Sequence, residues 1–334
     1  MKIGLNITKN NKKYDFFLTR IKKQLNLYSQ CKFINVSDTE KLKENISNLD
    51  ILLTYSLNEK IYDLASNKLK WIHFGVAGLE KNLFPSLLKS NTIITNSKGI
   101  HAIPVSEFIL GCILFHSKRF ANCNEFKITK EWKQWDIAKT MIQLKNKTLG
   151  IVGYGSIGKA TAKLAKTFGM NIIATKRLQK QTSANRYIDL LVPLSDIDKL
   201  YNQADFIAIT CPLTPMTNQM ISHNAFSKMK KTVYLINIAR GEIIDESALI
   251  NSLDNQRISG AALDVFKDEP LSKNHPFFNY ENLFLSPHIS GNFPEYQNDM
   301  IDYQNDMIDL FIDNLTRFLS KKNLKNRICK KRLY

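Results

Sequence analysis

The sequence predicts an α/β protein of two Rossmann-like domains, each a doubly wound parallel sheet, with the first domain discontinuous in sequence. Three observations predict this. Short apolar runs of strand character alternate with helical patterns along most of the chain. Residues 147–177 read as strand, glycine turn, helix, strand. A length of 334 residues sets a prior of about two domains.

Residues 2–7 alternate weakly and open the chain as a strand, and residues 15–27 follow as a helix. Strand runs recur at 33–36, 50–54, 71–74 and 92–95. The run at 71–74 leads into Gly75, Val76, Ala77 and Gly78. This first unit carries no glycine fingerprint for phosphate. The turn at Val76, Ala77 and Gly78 has two readings of equal weight: a tight connection, or backbone N–H groups offered to an anion. Residues 105–120 read as a long apolar helix ending in Lys118 and Arg119, cations suited to a helix C-terminus. Its position predicts a connector between domains. Residues 125–135 read as one amphipathic helix with Trp132 and Trp135 on one side, an aromatic pair fit for a subunit surface.

The next stretch organises the rest. A strand at 148–152 ends in Gly153-Tyr154-Gly155-Ser156-Ile157-Gly158, a G-x-G-x-x-G. Ile157, Ala160, Leu164, Ala165 and Phe168 recur at helical spacing, Gly169 takes a C-cap position, and 171–175 is a second strand. The first glycine permits the turn, the second admits a pyrophosphate, and the third lets helix pack on strand with its N-terminus toward the phosphates. The motif alone is weak; between two strands it is strong. Further strands are read at 206–210, 233–238, 258–265 and 283–286. Helices are read at 195–201, at 222–229 behind an Ser222 N-cap, and at 245–253. With the two strands of the glycine unit this makes about six parallel strands. They form a dinucleotide-binding domain over residues 99–289. Residues 1–98 and 290–334 form the other, substrate-binding domain.

The last segment is polar and then helical to Leu319. It contains a tandem heptapeptide, YQNDMID at 296–302 and again at 303–309. One copy lengthens a helix by about 10 Å and rotates its face by only about 20°. Two units are too few for a repeat architecture, so this reads as a duplication inside a helix.

Composition limits the function. Hydrophobic residues make up 44% of the chain, enough for real cores. The formal net charge of +17 is spread along the sequence with no nucleic-acid-binding motif beside it, so no nucleic-acid partner is expected. The basic residues from 321 to 332 read as a solvated tail. Five cysteines, an odd number without C-x-x-C spacing, argue against a disulfide framework or a metal site and for a reducing compartment. The N-terminus lacks the apolar core of a signal peptide, and the longest apolar stretch, 108–115, is far too short to cross a membrane. A cytoplasmic protein is expected.

In an open parallel sheet, ligands bind past the carboxyl ends of the strands. Past 233–238 come Ala239, Arg240 and Gly241. Past 258–263 come Asp264 and then Glu269, and past 283–286 comes His288. Each alone has a bland reading: a surface arginine, a solvated acid, a structural histidine. At three strand ends facing one glycine turn they read as a set.

These stretches resemble the D-isomer-specific 2-hydroxyacid dehydrogenases. The resemblance rests on GIVGYGSIG at 150–158, CPLTPMTNQMI at 211–221, NIARGEIIDESALI at 237–250, GAALDVFKDEP at 260–270 and SPHISG at 286–291. It covers nearly the whole chain. It implies reduction of a small 2-oxo acid, such as glyoxylate or hydroxypyruvate, to a D-2-hydroxy acid by hydride transfer from NAD(P)H. Arg240 would bind and polarise the substrate. His288 would be the general acid, and Glu269 would orient it and favour its charged form. Val76, Ala77 and Gly78 would hold the substrate carboxylate. The implied cofactor set is Gly153, Gly155, Ser156, Ile157, Gly158, Thr175, Lys176, Arg177, Cys211, Pro212, Thr217, Ile238, Ala239, Asp264 and Gly291, with Asp264 near the nicotinamide amide. A homodimer is implied, and Trp132 or Trp135 would reach a neighbouring subunit.

One departure refines the cofactor. A carboxylate about 20 residues past the glycines takes the ribose hydroxyls in NAD sites. Here that strand ends in Thr175, Lys176 and Arg177, without an acid. A 2′-phosphate is welcomed there, so NADP(H) is expected ahead of NAD(H). Glu269 argues against a formate dehydrogenase, which carries an amide in that place. The chain ends soon after residue 320, with no appended regulatory domain expected. The competing reading is a cofactor-sensing co-repressor on the same fold.

Overall fold

The computed structural model describes residues 1–24, 30–177, 179, 181–292 and 301–333, with the side chains of 301–304 excepted. It divides into two compact units, Met1–Ile100 with Pro294–Tyr334, and His101–Phe293.

The first unit holds β1 (Lys2–Asn6), β2 (Lys32–Asn35), β3 (Ile51–Thr54), β4 (Trp71–Phe74) and β5 (Ile93–Asn96). They pair in parallel in the order β2-β1-β3-β4-β5. The central strands are largely apolar because both faces are covered, although Thr54 and His73 are buried among them. Ile51, Leu53 and Trp71 belong to one core, and Leu52, Ile72 and Phe74 to the other. The helix Ile301–Leu319 covers the first of these faces beside the helix Asn11–Gln24. Its Phe311 and Phe318 stack on the Trp71 ring at 5.3 and 5.6 Å. The first heptapeptide copy lies largely outside the described residues. The second supplies Met307 and Ile308, both fully buried, while its Asp309 takes a two-pronged hydrogen bond from Arg20 at 3.0 and 2.7 Å.

The second unit holds β6 (Thr148–Val152), β7 (Asn171–Lys176), β8 (Ser183–Asn185), β9 (Ile188–Pro193), β10 (Phe206–Ile209), β11 (Tyr234–Asn237), β12 (Gly260–Leu263) and β13 (Leu283–Leu285). Among the described residues they form an eight-stranded sheet, β13-β12-β11-β10-β6-β7-β9-β8, parallel except for β8. The chain leaves β6 toward β7 on one side and returns to β10 on the other. The sheet therefore reverses beside β6, the switch point at which such folds bind nucleotides. Leu149 and Ile151 of β6 pack with the helix Ala102–Ser117, and Val152 faces the opposite core.

The sheet has two strands more than the six expected. The run from Ile188 to Pro193 is short and apolar, and periodicity alone does not tell such a run from a helix. The helix read at 105–120 is Ala102–Ser117, and Arg119 then turns left-handed at φ 55°. The single helix read at 125–135 is instead two short ones, Phe120–Thr129 and Gln134–Ala138. Lys130, at φ 61°, ends the first of them. Trp132 and Trp135 thus share no helical face, although both stay largely exposed, at 76% and 72%. Ser222 stands at its expected N-cap but makes no side-chain capping bond, whereas Asp245 caps its helix through Ser247 and Ala248.

Candidate active site

The glycine turn is shaped by close contact. Gly153 lies at φ +108°, and a Cβ there would stand 2.7 Å from the Cys211 nitrogen at the exit of β10. A Cβ on Gly158 would stand 2.6 Å from the Gly153 carbonyl oxygen, so the third glycine allows the helix to close on the strand. Gly155 differs: a Cβ there would meet no atom within 4 Å. Its missing side chain leaves room for something outside the fold. The helix Ser156–Thr167 begins at Gly155 without a side-chain cap. Its first-turn N–H groups, at Ser156, Ile157 and Gly158, have no acceptor among the described residues. Open donors at an uncapped helix N-terminus, beside a glycine with clear space, fit a pyrophosphate. The Tyr154 N–H donates to the Thr175 carbonyl at 2.7 Å, tying the turn to the end of β7, where Lys176 and Arg177 follow. Asp189, an acid of the neighbouring strand, bonds instead to Lys166 at 2.6 Å and to the Ile172 N–H at 2.6 Å, at the start of β7.

Arg240, Glu269 and His288 come together at three neighbouring strand ends. Gly241 lies so close to the next strand's exit that a Cβ would overlap the Phe266 and Lys267 backbone. This contact brings Arg240 toward Glu269. The Arg240 carbonyl accepts from the Asn237 side chain at 2.9 Å, and its guanidinium donates to the Ala239 carbonyl at 2.6 Å. Glu269 accepts from the Phe266 N–H at 3.0 Å through one oxygen and meets His288 Nδ1 at 2.8 Å through the other. Partial burial opposes the Glu269 charge, but the His288 ring, the Phe266 N–H and Arg240 outweigh it and hold the carboxyl below its usual range. A carboxylate only accepts, so His288 Nδ1 carries hydrogen and the far nitrogen, Nε2, faces away from Glu269. The His288 side chain is half exposed.

His288 sits at φ 55°, unusual for a residue with a side chain. Asp264 over-determines that turn. Its carboxylate is 1% exposed and accepts from the Ser286 hydroxyl at 2.6 Å, the Ile289 N–H at 2.8 Å and the Ser290 N–H at 2.9 Å. Asp264 thus grips the loop that carries the histidine. Of the other expected cofactor residues, Cys211 presses on Gly153, and Thr217 bonds to the Pro212 carbonyl at 2.7 Å and closes that turn. Ile238 and Ala239 leave β11 beside Arg240, and Gly291 rests against the His101 ring.

In the first unit, Val76, Ala77 and Gly78 follow β4. Their carbonyls are held: Val76 accepts from the Ser97 N–H at 3.1 Å, and Ala77 accepts from the Asn96 side chain. Their three N–H groups donate to nothing among the described residues. Such a turn is a ready anion site. Sequence reasoning missed the buried polar groups behind it and the grip of Asp264. The available signal was a run of Thr95, Asn96 and Ser97, all under 5% exposed, at the end of an otherwise apolar strand.

An uncapped nucleotide turn and a carboxylate-held histidine at one sheet edge define a dinucleotide-dependent oxidoreductase. The family model for the NAD binding domain of D-isomer specific 2-hydroxyacid dehydrogenases matches residues 110–290. A glyoxylate reductase of Thermofilum pendens is 36% identical over 259 residues, 75% of each chain. A D-3-phosphoglycerate dehydrogenase of Methanocaldococcus jannaschii is 33% identical over 77% of this chain but only 49% of its own length. A D-isomer specific 2-hydroxyacid dehydrogenase family structure from Aeromonas salmonicida superposes with a TM-score of 0.78 at 25% identity, covering 98% of this chain and 99% of that one. The chain belongs to the D-isomer specific 2-hydroxyacid dehydrogenase family. It is an oxidoreductase acting on the CH–OH group of 2-hydroxy acids with a nicotinamide dinucleotide.

Proposed function

We propose that this enzyme reduces a small 2-oxo acid of the glyoxylate or hydroxypyruvate type to the D-2-hydroxy acid, with NADPH preferred over NADH. The observation that carries the reading is the 2.8 Å bond between His288 Nδ1 and Glu269 beside Arg240, at the sheet edge that holds the glycine turn. When bound, the dinucleotide supplies the hydride. His288 delivers a proton from Nε2 to the ketone oxygen as charge develops there. Glu269 fixes the ring through Nδ1 and balances its charge. Arg240 grips the substrate carboxylate or carbonyl and polarises it. The Val76, Ala77 and Gly78 N–H groups hold the carboxylate, which assigns the first unit to substrate and the second to dinucleotide. Ser156, Ile157 and Gly158 hold the pyrophosphate, and Lys176 and Arg177 meet the 2′-phosphate.

The arm from 120 to 141 exposes Phe120, Ile128, Trp132, Trp135 and Met141, an apolar band suited to a second copy of the chain. A homodimer is expected by light scattering. No helix among the described residues is long and apolar enough to cross a membrane, and all five cysteines are free.

The test is turnover on a panel of 2-oxo acids with NADPH and with NADH. The reading requires turnover on glyoxylate or hydroxypyruvate and a lower KM for NADPH. His288→Ala should lower kcat by about 10²- to 10⁴-fold with cofactor binding retained. Cofactor binding without turnover on any acid would overturn the reading in favour of a cofactor sensor.

A further inference from the structure

Behind the Val76, Ala77, Gly78 turn lies a chain of buried polar side chains. The Trp71 indole N–H donates to Thr95 Oγ1 at 2.8 Å. Thr95 Oγ1 lies 2.7 Å from His73 Nδ1, and His73 Nε2 lies 3.2 Å from Ser97 Oγ. Ser97 Oγ donates to the Phe74 carbonyl at 3.2 Å. Trp71, His73, Thr95 and Ser97 are all fully buried.

The ends of this chain fix its direction. The indole can only donate and the carbonyl can only accept. Each hydroxyl has one hydrogen. The arrangement that satisfies every group runs from Trp71 to Thr95, from Thr95 to His73 Nδ1, from His73 Nε2–H to Ser97, and from Ser97 to Phe74. His73 is therefore neutral, with its hydrogen on Nε2. Burial agrees, pushing its pKa down to about 3.

The relay ends where the turn begins. Phe74 is the last residue of β4, and the Ser97 N–H holds the Val76 carbonyl at 3.1 Å. Between Thr95 and Ser97, Asn96 donates its side-chain amide to the Ala77 carbonyl. Asn96 is 4% exposed, and its Oδ1 finds no donor among the described residues. Asn326 holds the Asn96 carbonyl at 3.1 Å and the Lys98 carbonyl at 2.7 Å, so the strand end cannot drift.

We propose that Asn96 and Ser97, aligned by the Trp71–Thr95–His73 relay, are positioning residues for substrate. The Asn96 side chain holds the Ala77 carbonyl, the Ser97 main-chain N–H holds the Val76 carbonyl, and the Ser97 hydroxyl fixes the Phe74 carbonyl at the root of the turn, so that the three N–H groups of the turn converge on the substrate carboxylate. This rests on the reading of that turn as the carboxylate site.

The experiment uses the full-length enzyme, NADPH and the acid with the highest kcat/KM in the panel. Gly78→Pro removes one turn N–H and tests the underlying reading. Asn96→Ala and Ser97→Ala test the positioning, and Ser97→Thr restores the hydroxyl. The expected result is a KM for the acid raised about tenfold in Gly78→Pro, Asn96→Ala and Ser97→Ala, with the NADPH KM within twofold of wild type. Ser97→Thr should recover most of the loss. With the methyl ester of the same acid as substrate, the variants and wild type should converge. An unchanged acid KM in Gly78→Pro overturns the carboxylate site itself. A raised KM in Gly78→Pro with an unchanged KM in Asn96→Ala and Ser97→Ala overturns the positioning role alone. Equal losses on acid and ester, or a matching loss in NADPH affinity, also overturn it.

Discussion

The two units solve one problem in two ways. Each is a doubly wound parallel sheet, and each presents three backbone N–H groups without an acceptor among the described residues. In the second unit they belong to the first turn of the helix Ser156–Thr167, and close packing at Gly153 and Gly158 exposes them. In the first unit they belong to a turn whose carbonyls are drawn back by Asn96 and Ser97. One set of donors is open where side chains are missing, the other where the Asn96 amide and the Ser97 main-chain N–H hold the carbonyls of the turn. The contrast shows that main-chain donors can be left open by different means on two parallel sheets of one chain.

The sharpest way to break this comparison is at the glycines. Gly158→Ala places a methyl group 2.6 Å from the Gly153 carbonyl, so the helix must shift. Dinucleotide affinity should fall at least tenfold and the melting temperature should drop, both readable by thermal shift with and without NADPH. Gly155→Ala meets open space. It should leave the melting temperature of the free protein unchanged and still weaken NADPH. Equal thermal losses in both variants would show that the glycines serve packing alone.

A smaller effect sharpens the other half. His73 is fully buried, and burial lowers its pKa from 6.5 to about 3. Between those values the unfolded chain binds a proton that the folded chain refuses, so stability rises with pH across this window and is lost as pH falls. The loss between pH 7 and pH 4 is about 3 kcal/mol from this group. His73→Gln should flatten that part of the urea-midpoint profile relative to wild type. An identical profile in both proteins would remove His73 as its source.

The smallest effect concerns the second heptapeptide copy. The Arg20–Asp309 pair is partly exposed, at 30% and 45% of the side chains. Arg20→Ala should cost about 0.5–1 kcal/mol by urea denaturation. A loss several times larger would mean that the pair, and not Met307 and Ile308 beneath it, fixes the helix.

The same contrast explains what the sequence made legible. The glycine turn and its flanking strands were readable because the backbone at Gly153 and Gly158 has no room for a side chain, and such a demand leaves glycine at fixed spacing. Arg240, Glu269 and His288 were readable because strand ends of one parallel sheet meet at one edge. Their joining through Gly241 was not, since that contact spans two loops. The support behind Val76, Ala77 and Gly78 was hidden for a different reason. His73 and Thr95 sit at buried positions of β4 and β5, where apolar residues are the rule, with Ser97 just past β5, and only the pairing of those strands shows that they satisfy one another. The broken arm after Ser117 was misread because two left-handed residues, Arg119 and Lys130, carry no signal in their side chains.

A grip made of main-chain N–H groups has a bearing on how such an enzyme changes over generations. Replacing Val76 or Ala77 alters shape near the substrate without deleting a donor. If the turn holds the carboxylate as proposed, it can thus trade one substrate for another while that hold persists. Gly75 is the exception. A Cβ there would stand 2.7 Å from the Met307 sulfur and 2.8 Å from the Tyr55 ring. Variation is freer at the rim of the turn than at its crowded root, and one of the two residues that crowd it, Met307, belongs to the duplicated heptapeptide. A change of register in that helix would be felt first at Gly75, the root of the turn proposed to hold substrate.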